Sequence, residues 1–116
     1  MNEESRKREE LYKKTLADYL EQYMREDTPE EERIIDYDFR GYGNMEEGDR
    51  LKAGINFGVK PYLQENTKWK YNTGNLCTNK EAFNFYCFVT YKKVNGEYEV
   101  ERISEFPENY DEFLAR

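Results

Sequence analysis

The apolar residues near the start of the chain recur on one helical stripe. Tyr12, Leu16, Tyr19, Leu20 and Tyr23 fall at i, i+4, i+7, i+8 and i+11, and charged residues fill the other faces. This spacing predicts a helix over residues 5–25, with Glu9–Lys13 and Glu10–Lys14 as i, i+4 pairs in the favourable order. Three tyrosines in the stripe point to a broad partner such as a sheet, and barely three heptads is short for a coiled coil. Thr28, Pro29 and Glu31 then carry the signals of a new helical start: a cap, a proline for the first position and a capping box. One short helical turn is expected there, because strand signals follow at once.

From Arg33 the period changes from helical to two. Ile35, Tyr37 and Phe39 share one face of a predicted strand, and Asp36, Asp38 and Arg40 share the other. Residues 41–49, GYGNMEEGD, read as a turn or loop. Residues 50–60 alternate again, with Leu51, Ala53, Ile55, Phe57 and Val59 on one face and Lys52, Gly54, Asn56, Gly58 and Lys60 on the other. Pro61 ends that run. Residues 67–72 suggest a short strand, and 72–80 a polar turn. A long strand over 82–93 is apolar on both faces in its middle, so it is expected in the interior of a sheet. Asn95-Gly96 between alternating runs is the signature of a type I′ hairpin, in which both central residues need positive φ. The return strand runs over 97–103 with Tyr98 and Val100 inward, and residues 109–116 suggest a last helical turn.

One helix followed by four or five antiparallel strands is an α+β arrangement, read here as a single domain over residues 1–116. The helix stripe is expected to lie on a curved sheet, with Leu16, Tyr19, Leu20 and Tyr23 meeting Tyr37, Phe39, Phe57, Trp69 and Phe85.

Composition narrows the chemistry. The 116 residues include no histidine, which removes Ser-His-Asp and Cys-His catalysis and histidine zinc sites, while two cysteines are too few for a Cys₄ site. The seven glycines fit neither G-x-G-x-x-G nor the P-loop spacing. No cofactor and no metal are expected, and the reading is of a protein that is not an enzyme. Cys77 and Cys87 read as small packing residues: on strand geometry their Cα atoms fall beyond the roughly 7 Å limit of a disulfide. At 37% charged and 16% aromatic residues, the chain has a polar exterior but too many rings for a disordered segment.

The net charge of −7 is uneven: −4 over residues 1–33, +2 over 34–96 and −5 over 97–116. Direct nucleic-acid binding is therefore not expected. No membrane span or signal peptide is visible within the sequence, which leaves a cytoplasmic protein and a fragment of a longer anchored one as alternatives.

The succession E-E-R-I-I-D-Y-D-F, G-D-R-L-K-A-G-I-N-F-G-V-K-P, a Trp and a G-N, a long aromatic strand, then N-G-E-Y and a return strand resembles a loose family over about residues 8–104. It is similar to the cystatin-like or nuclear-transport-factor-two-like accessory domains of Gram-positive envelope and mobile-element proteins. The resemblance implies a helix wrapped by a bent antiparallel sheet, and a non-catalytic binding or assembly role on the extracellular face of the envelope. Enzymes on such folds place Asp, His or Tyr in the cavity; here no His exists, and Asp36 and Asp38 alternate away from the core. The expected partner is a protein, and a homodimer stays open. The candidate binding surface is Tyr42, Tyr62, Trp69, Tyr71 and Tyr86, since tyrosine and tryptophan suit interfaces. The alternative is a soluble acidic phage or mobile-element inhibitor, a DNA mimic directed at a host nucleic-acid-binding protein. Its surface would be Glu97, Glu99, Glu101, Glu105, Glu108, Asp111 and Glu112, the first three forming a row of charge along one strand face. A third reading is a ligand cavity between helix and sheet.

Overall fold

The computed structural model describes residues 3–69 and 83–105. It has one N-terminal helix, α1 (Glu3–Glu21), packed on an open antiparallel sheet of four strands. These are β1 (Ile34–Glu47), β2 (Arg50–Pro61), β3 (Phe83–Val94) and β4 (Glu97–Glu105), in the spatial order β1-β2-β3-β4. The α+β class read from the sequence is the observed one. The expected 72–80 turn, the 109–116 helical turn and residues 70–72 of the expected 67–72 strand lie outside the described residues; the described part of that segment is not strand, and Lys68 and Trp69 form a turn.

Contacts gather the chain into two compact units. The first comprises Met1–Phe39 and Phe57–Phe85, the second Arg40–Asn56 and Tyr86–Arg116.

In the first unit, Tyr12, Leu16 and Leu20 of α1 are fully buried, as the stripe requires. The helix stops at Glu21, four residues before the predicted end, because its last carbonyls find other donors. Tyr23 N–H donates to Leu20 O and Met24 N–H to Glu21 O, tightening the final turn to i→i+3. The Gln22 amide donates to Tyr19 O, the Thr28 hydroxyl to Gln22 O at 2.7 Å, and Ile34 N–H to Tyr23 O. Thr28 thus serves the helix behind it and does not cap the turn ahead. That turn does form: Pro29 O accepts from the backbone of Glu32 and Arg33.

Residues 29–33 are fastened to the segment after β2. Lys68 N–H donates to Glu31 O, Tyr62 N–H to Arg33 O, and the Trp69 indole N–H to Glu32 O at 2.7 Å. Trp69, 3% exposed, anchors a cluster of rings set edge to face. Its centroid lies 5.0 Å from Tyr23, 5.3 Å from Phe85 and 6.3 Å from Phe57. The expected meeting of stripe and sheet aromatics occurs here.

At the start of β1 the sequence misled by one residue. Ile34 is buried at 2% exposed and Ile35 is 52% exposed, because the Ile34–Tyr23 backbone bond fixes the strand's entry. Tyr37 and Phe39 are half-buried, as expected of a strand covered on one side, and Lys13 stands over the Phe39 ring.

In the second unit, β1 continues through Glu47, where the glycine-rich sequence predicted a loop. This stretch is mostly exposed on both faces, so it carries no burial alternation to read. A two-residue turn, Gly48-Asp49, joins it to β2, with Gly48 at φ 62° in the first turn position, the place of glycine in type II′ hairpins. β2 is buried on both faces through most of its length, Lys52 included. Asn95 (φ 52°) and Gly96 (φ 83°) make the predicted I′ hairpin between β3 and β4.

The β3–β4 ladder contains a bulge. Thr90 pairs with Arg102 and Tyr91 with Val100, leaving Glu101 without a partner across the strand. Val100 was expected inward; it is half exposed, because Tyr98 packs its ring against buried Tyr91 and leaves the smaller side chain at the sheet edge.

Candidate binding groove

Among the candidates, Tyr42 and Tyr86 come together. They line an open groove of about 660 Å³ in the second unit, with Arg40, Gly41 and Gly43 on β1, Gly54 and Asn56 on β2, and Phe88 on β3. The period-two pleat explains the assembly. Gly54 and Asn56 lie on one face of β2 while Leu51, Ala53 and Ile55 are buried on the other. Tyr86 and Phe88 lie on one face of β3 while Cys87 and Val89 are buried on the other.

The walls are aromatic. Tyr42 is 37% and Tyr86 40% exposed, and the Tyr86 and Phe88 rings stand parallel, 6° apart in plane with centroids 6.0 Å apart. Phe88 is nearly covered, so the stack holds Tyr86 upright against the groove. The floor is glycine, which lets another chain approach the backbone closely. Gly41 adopts φ 140°, a backbone conformation that L side chains rarely take, although a Cβ there would meet nothing within 4 Å. Glycine at 41 thus answers to the backbone and not to space.

Polar chemistry enters at two places. Arg40 supplies a guanidinium at the rim. The Asn56 side-chain oxygen is buried and meets no hydrogen-bond donor among the described residues. An orphaned buried acceptor costs about 1–3 kcal/mol, so such groups are uncommon away from functional sites.

The other candidates are placed elsewhere. Trp69 is core. Tyr62 is exposed in the first unit, with the Arg33 guanidinium 4.8 Å above its ring. Tyr71 lies outside the described residues, as do Glu108, Asp111 and Glu112. Glu97 and Glu99 are exposed on β4, which also includes Glu105. Glu101 does not complete the row of charge. At the bulge its carboxylate accepts from Arg50 Nε at 2.5 Å and Nη2 at 3.0 Å, and Asp49 takes a third guanidinium bond at 2.7 Å. These hydrogen bonds, Glu101 first and Asp49 second, raise the Arg50 pKa above its ordinary value. Residues 40, 41, 43, 54, 56 and 88 were not singled out from the sequence as site residues. The signal available was Asn56, a lone amide flanked on its strand face by Gly54 and Gly58.

Among the described residues, no cluster of Cys, Asp or Glu is arranged to hold a metal ion, and no helix is long and apolar enough to cross a membrane. No protein-family description, curated protein or solved structure matches the chain.

Proposed function

We propose that this chain is a non-catalytic binding domain that recognises a protein partner through the Tyr42–Tyr86 groove. The observation that carries the reading is the groove itself. Two tyrosines that would be more stable covered stand about 40% exposed on either side of a glycine floor, beside an amide oxygen that lacks a donor among the described residues. Large rigid rings that order little on binding are what protein-recognition surfaces use. As a finer proposal, the chain serves an envelope-anchored or mobile-element protein of a Gram-positive bacterium, in the manner of the cystatin-like or nuclear-transport-factor-two-like accessory domains. A single helix on an open antiparallel sheet supports that placement. The acidic-inhibitor alternative retains Glu97 and Glu99 but has Glu101 bound to Arg50, so the groove takes precedence.

The test is site-specific photo-crosslinking in the native host, with an aromatic photoreactive residue at position 86 and, as control, at position 14 on the exposed face of α1. A discrete protein adduct at 86, absent at 14, is the expected result. No adduct at 86, or the same adducts at both positions, would overturn the reading. Fractionation of the native gene product tests the finer proposal: recovery with the envelope is expected, and recovery in the cytosol contradicts it.

A further inference from the structure

The β3–β4 turn carries reactive chemistry of its own. Asn95 is followed by Gly96, the one asparagine–glycine pair in the sequence. Both residues are exposed, and a Cβ at Gly96 would meet nothing within 4 Å. The ladder ends at the Val94–Glu97 pair, so the Gly96 nitrogen lies outside it. An asparagine side chain is an electrophile toward the next backbone nitrogen, and glycine hinders that attack least because it has no Cβ beside its nitrogen. The Gly96 nitrogen gives its proton to a solvent base and bonds to Asn95 Cγ. The Cγ–Nδ2 bond breaks, and ammonia leaves after taking a proton from water. A five-membered succinimide remains. Water then opens the ring at Cγ, giving aspartate, or at the main-chain carbonyl, giving isoaspartate, whose backbone runs through Cβ and Cγ.

The fold holds this reaction in check. Ring closure needs the Gly96 nitrogen and the Asn95 Cβ nearly eclipsed about the Asn95 Cα–C bond. Asn95 at φ 52° and Gly96 at φ 83° are the two central residues of a I′ turn, the first of which takes a ψ of roughly +30°. That ψ sets the nitrogen and the Cβ on nearly opposite sides of the bond. The turn must therefore open before the ring can form.

Opening this end of the hairpin disturbs little. Four pairs separate the turn from the bulge: Val94–Glu97, Lys93–Tyr98, Lys92–Glu99 and Tyr91–Val100. Of these residues only Tyr91 is buried. Segments with few buried side chains open at free energies well below that of the whole domain. Beyond the bulge the ladder continues from Thr90–Arg102 to Cys87–Glu105, and there Cys87, Phe88 and Val89 are all buried. Contacts that hold the turn end include the Tyr98 ring against Tyr91, the Tyr98 hydroxyl donating to Glu46 at 3.3 Å, and Lys93 N–H donating to Asp49 O at 2.8 Å. We propose that Asn95 is a site of spontaneous deamidation, gated by opening of the hairpin as far as the bulge and irreversible in its effect on the turn. The aspartyl product recloses, since Asp-Gly is also a I′ pair. The isoaspartyl product lengthens the main chain by one carbon, which a two-residue I′ turn cannot contain, so that end of the hairpin stays open.

The experiment is incubation of the full chain at mildly alkaline pH, folded and in urea, with peptide mapping by mass spectrometry for the amide-to-acid change at position 95 and for isoaspartate. Conversion of Asn95 in the folded chain is expected, at least tenfold slower than in urea. Tyr98→Ala should speed the reaction in the folded chain at least threefold. Tyr98→Phe, which deletes only the bond to Glu46 on an otherwise intact fold, should give a smaller acceleration. Trp69→Phe, which weakens the first unit, should leave the rate unchanged, because the opening is local. The separated isoaspartyl form should exchange its amides faster over residues 91–100, while the aspartyl form matches the starting protein. Equal rates in the folded chain and in urea would show that the turn does not gate the reaction, and no conversion in the folded chain would remove the site; either result overturns the proposal. Equal acceleration by Trp69→Phe and Tyr98→Ala would overturn it in favour of reaction from the unfolded chain. Unchanged exchange in the isoaspartyl form would overturn the irreversible opening.

Discussion

Replacing Trp69 tests the central packing claim of the first unit, and two substitutions separate its parts. Trp69→Ala removes an almost fully buried indole, the edge-to-face contacts at 5.0 and 5.3 Å, and the 2.7 Å hydrogen bond to Glu32 O. Large aromatic-to-alanine changes in cores cost about 3–5 kcal/mol. Against a total stability of about 5–15 kcal/mol for a domain, that loss takes a large share, and at the low end of the range nearly all of it. Trp69→Phe keeps a ring in the cluster and loses the donor. Its cost is the hydrogen bond, a net of about 0.5–1.5 kcal/mol, plus the contacts of the missing five-membered ring at about 1 kcal/mol. We expect about 2 kcal/mol for Phe and at least twice that for Ala. Urea titration followed by far-UV circular dichroism measures both, with unchanged m-values licensing the comparison. Trp69 is also the sole tryptophan, so native fluorescence should be blue-shifted and shielded from iodide until the chain unfolds. A loss below about 1 kcal/mol for Trp69→Ala, or an iodide-accessible native tryptophan, would refute the aromatic cluster as the anchor of this unit.

Other outcomes follow from single contacts. Leu20→Ala should cost about 2–5 kcal/mol, since Leu20 is fully buried; a loss under half a unit by denaturant titration means that α1 is not docked. Gly96→Val should cost at least roughly 1–2 kcal/mol of stability, the cost of a left-handed L-residue, and so lower the melting temperature, because Gly96 sits at φ 83°; an unchanged temperature contradicts the I′ turn. Thr28→Val deletes the hydroxyl that holds Gln22 O and should cost about 1 kcal/mol; hydrogen exchange should show the last turn of α1 opening more readily, and unchanged exchange there would contradict the capping role. Because the Arg50 pKa is raised above an ordinary value already far into the alkaline range, its share of stability is full below that ordinary value and fades only as pH rises through the folded value, so the Arg50–Glu101 coupling in a double-mutant cycle should be insensitive to pH between 7 and 9 and diminished by salt.

The sequence was most readable where burial imposes a period. The α1 stripe, the β2 alternation and the apolar middle of β3 each place side chains against a core, and each was visible as spacing. The Asn-Gly turn was visible because the required backbone conformation restricts residue choice. What escaped was set by backbone pairing alone. Residues 41–47 form strand without burying much, so their glycines looked like a loop. The bulge at Glu101 leaves no mark on a run of alternating glutamates, yet one of them, still exposed, is there the ion-pair partner of Arg50. Three of the eight groove residues, Gly41, Tyr42 and Gly43, fell in that blind region: Tyr42 and Tyr86 were candidates by residue type, but only the continuation of β1 past Arg40 places the two glycines beside them.

The aromatic residues of the two units answer to different pressures. In the first unit Tyr23, Phe57, Trp69 and Phe85 interlock, and even the lysine beside them is bound in: Lys68 donates to the Tyr23 hydroxyl and lies 4.3 Å from its ring. In the second unit Tyr91 is covered, but Tyr42 and Tyr86 stay out. Exposed rings on an open sheet invite edge-to-edge association, and this sheet has the usual safeguards at its margins: β1 carries Asp36, Asp38, Glu46 and Glu47, and β4 carries Glu97 and Glu99 beside a bulge. Those charges guard the edges without masking the face between them. On the binding role proposed above, a sheet whose edges are protected against indiscriminate pairing while its face keeps two tyrosines and a glycine floor would exclude most partners and admit a few. Selection for solubility alone would have replaced the two tyrosines with residues like Thr90, which occupies the same face of β3 two positions past Phe88.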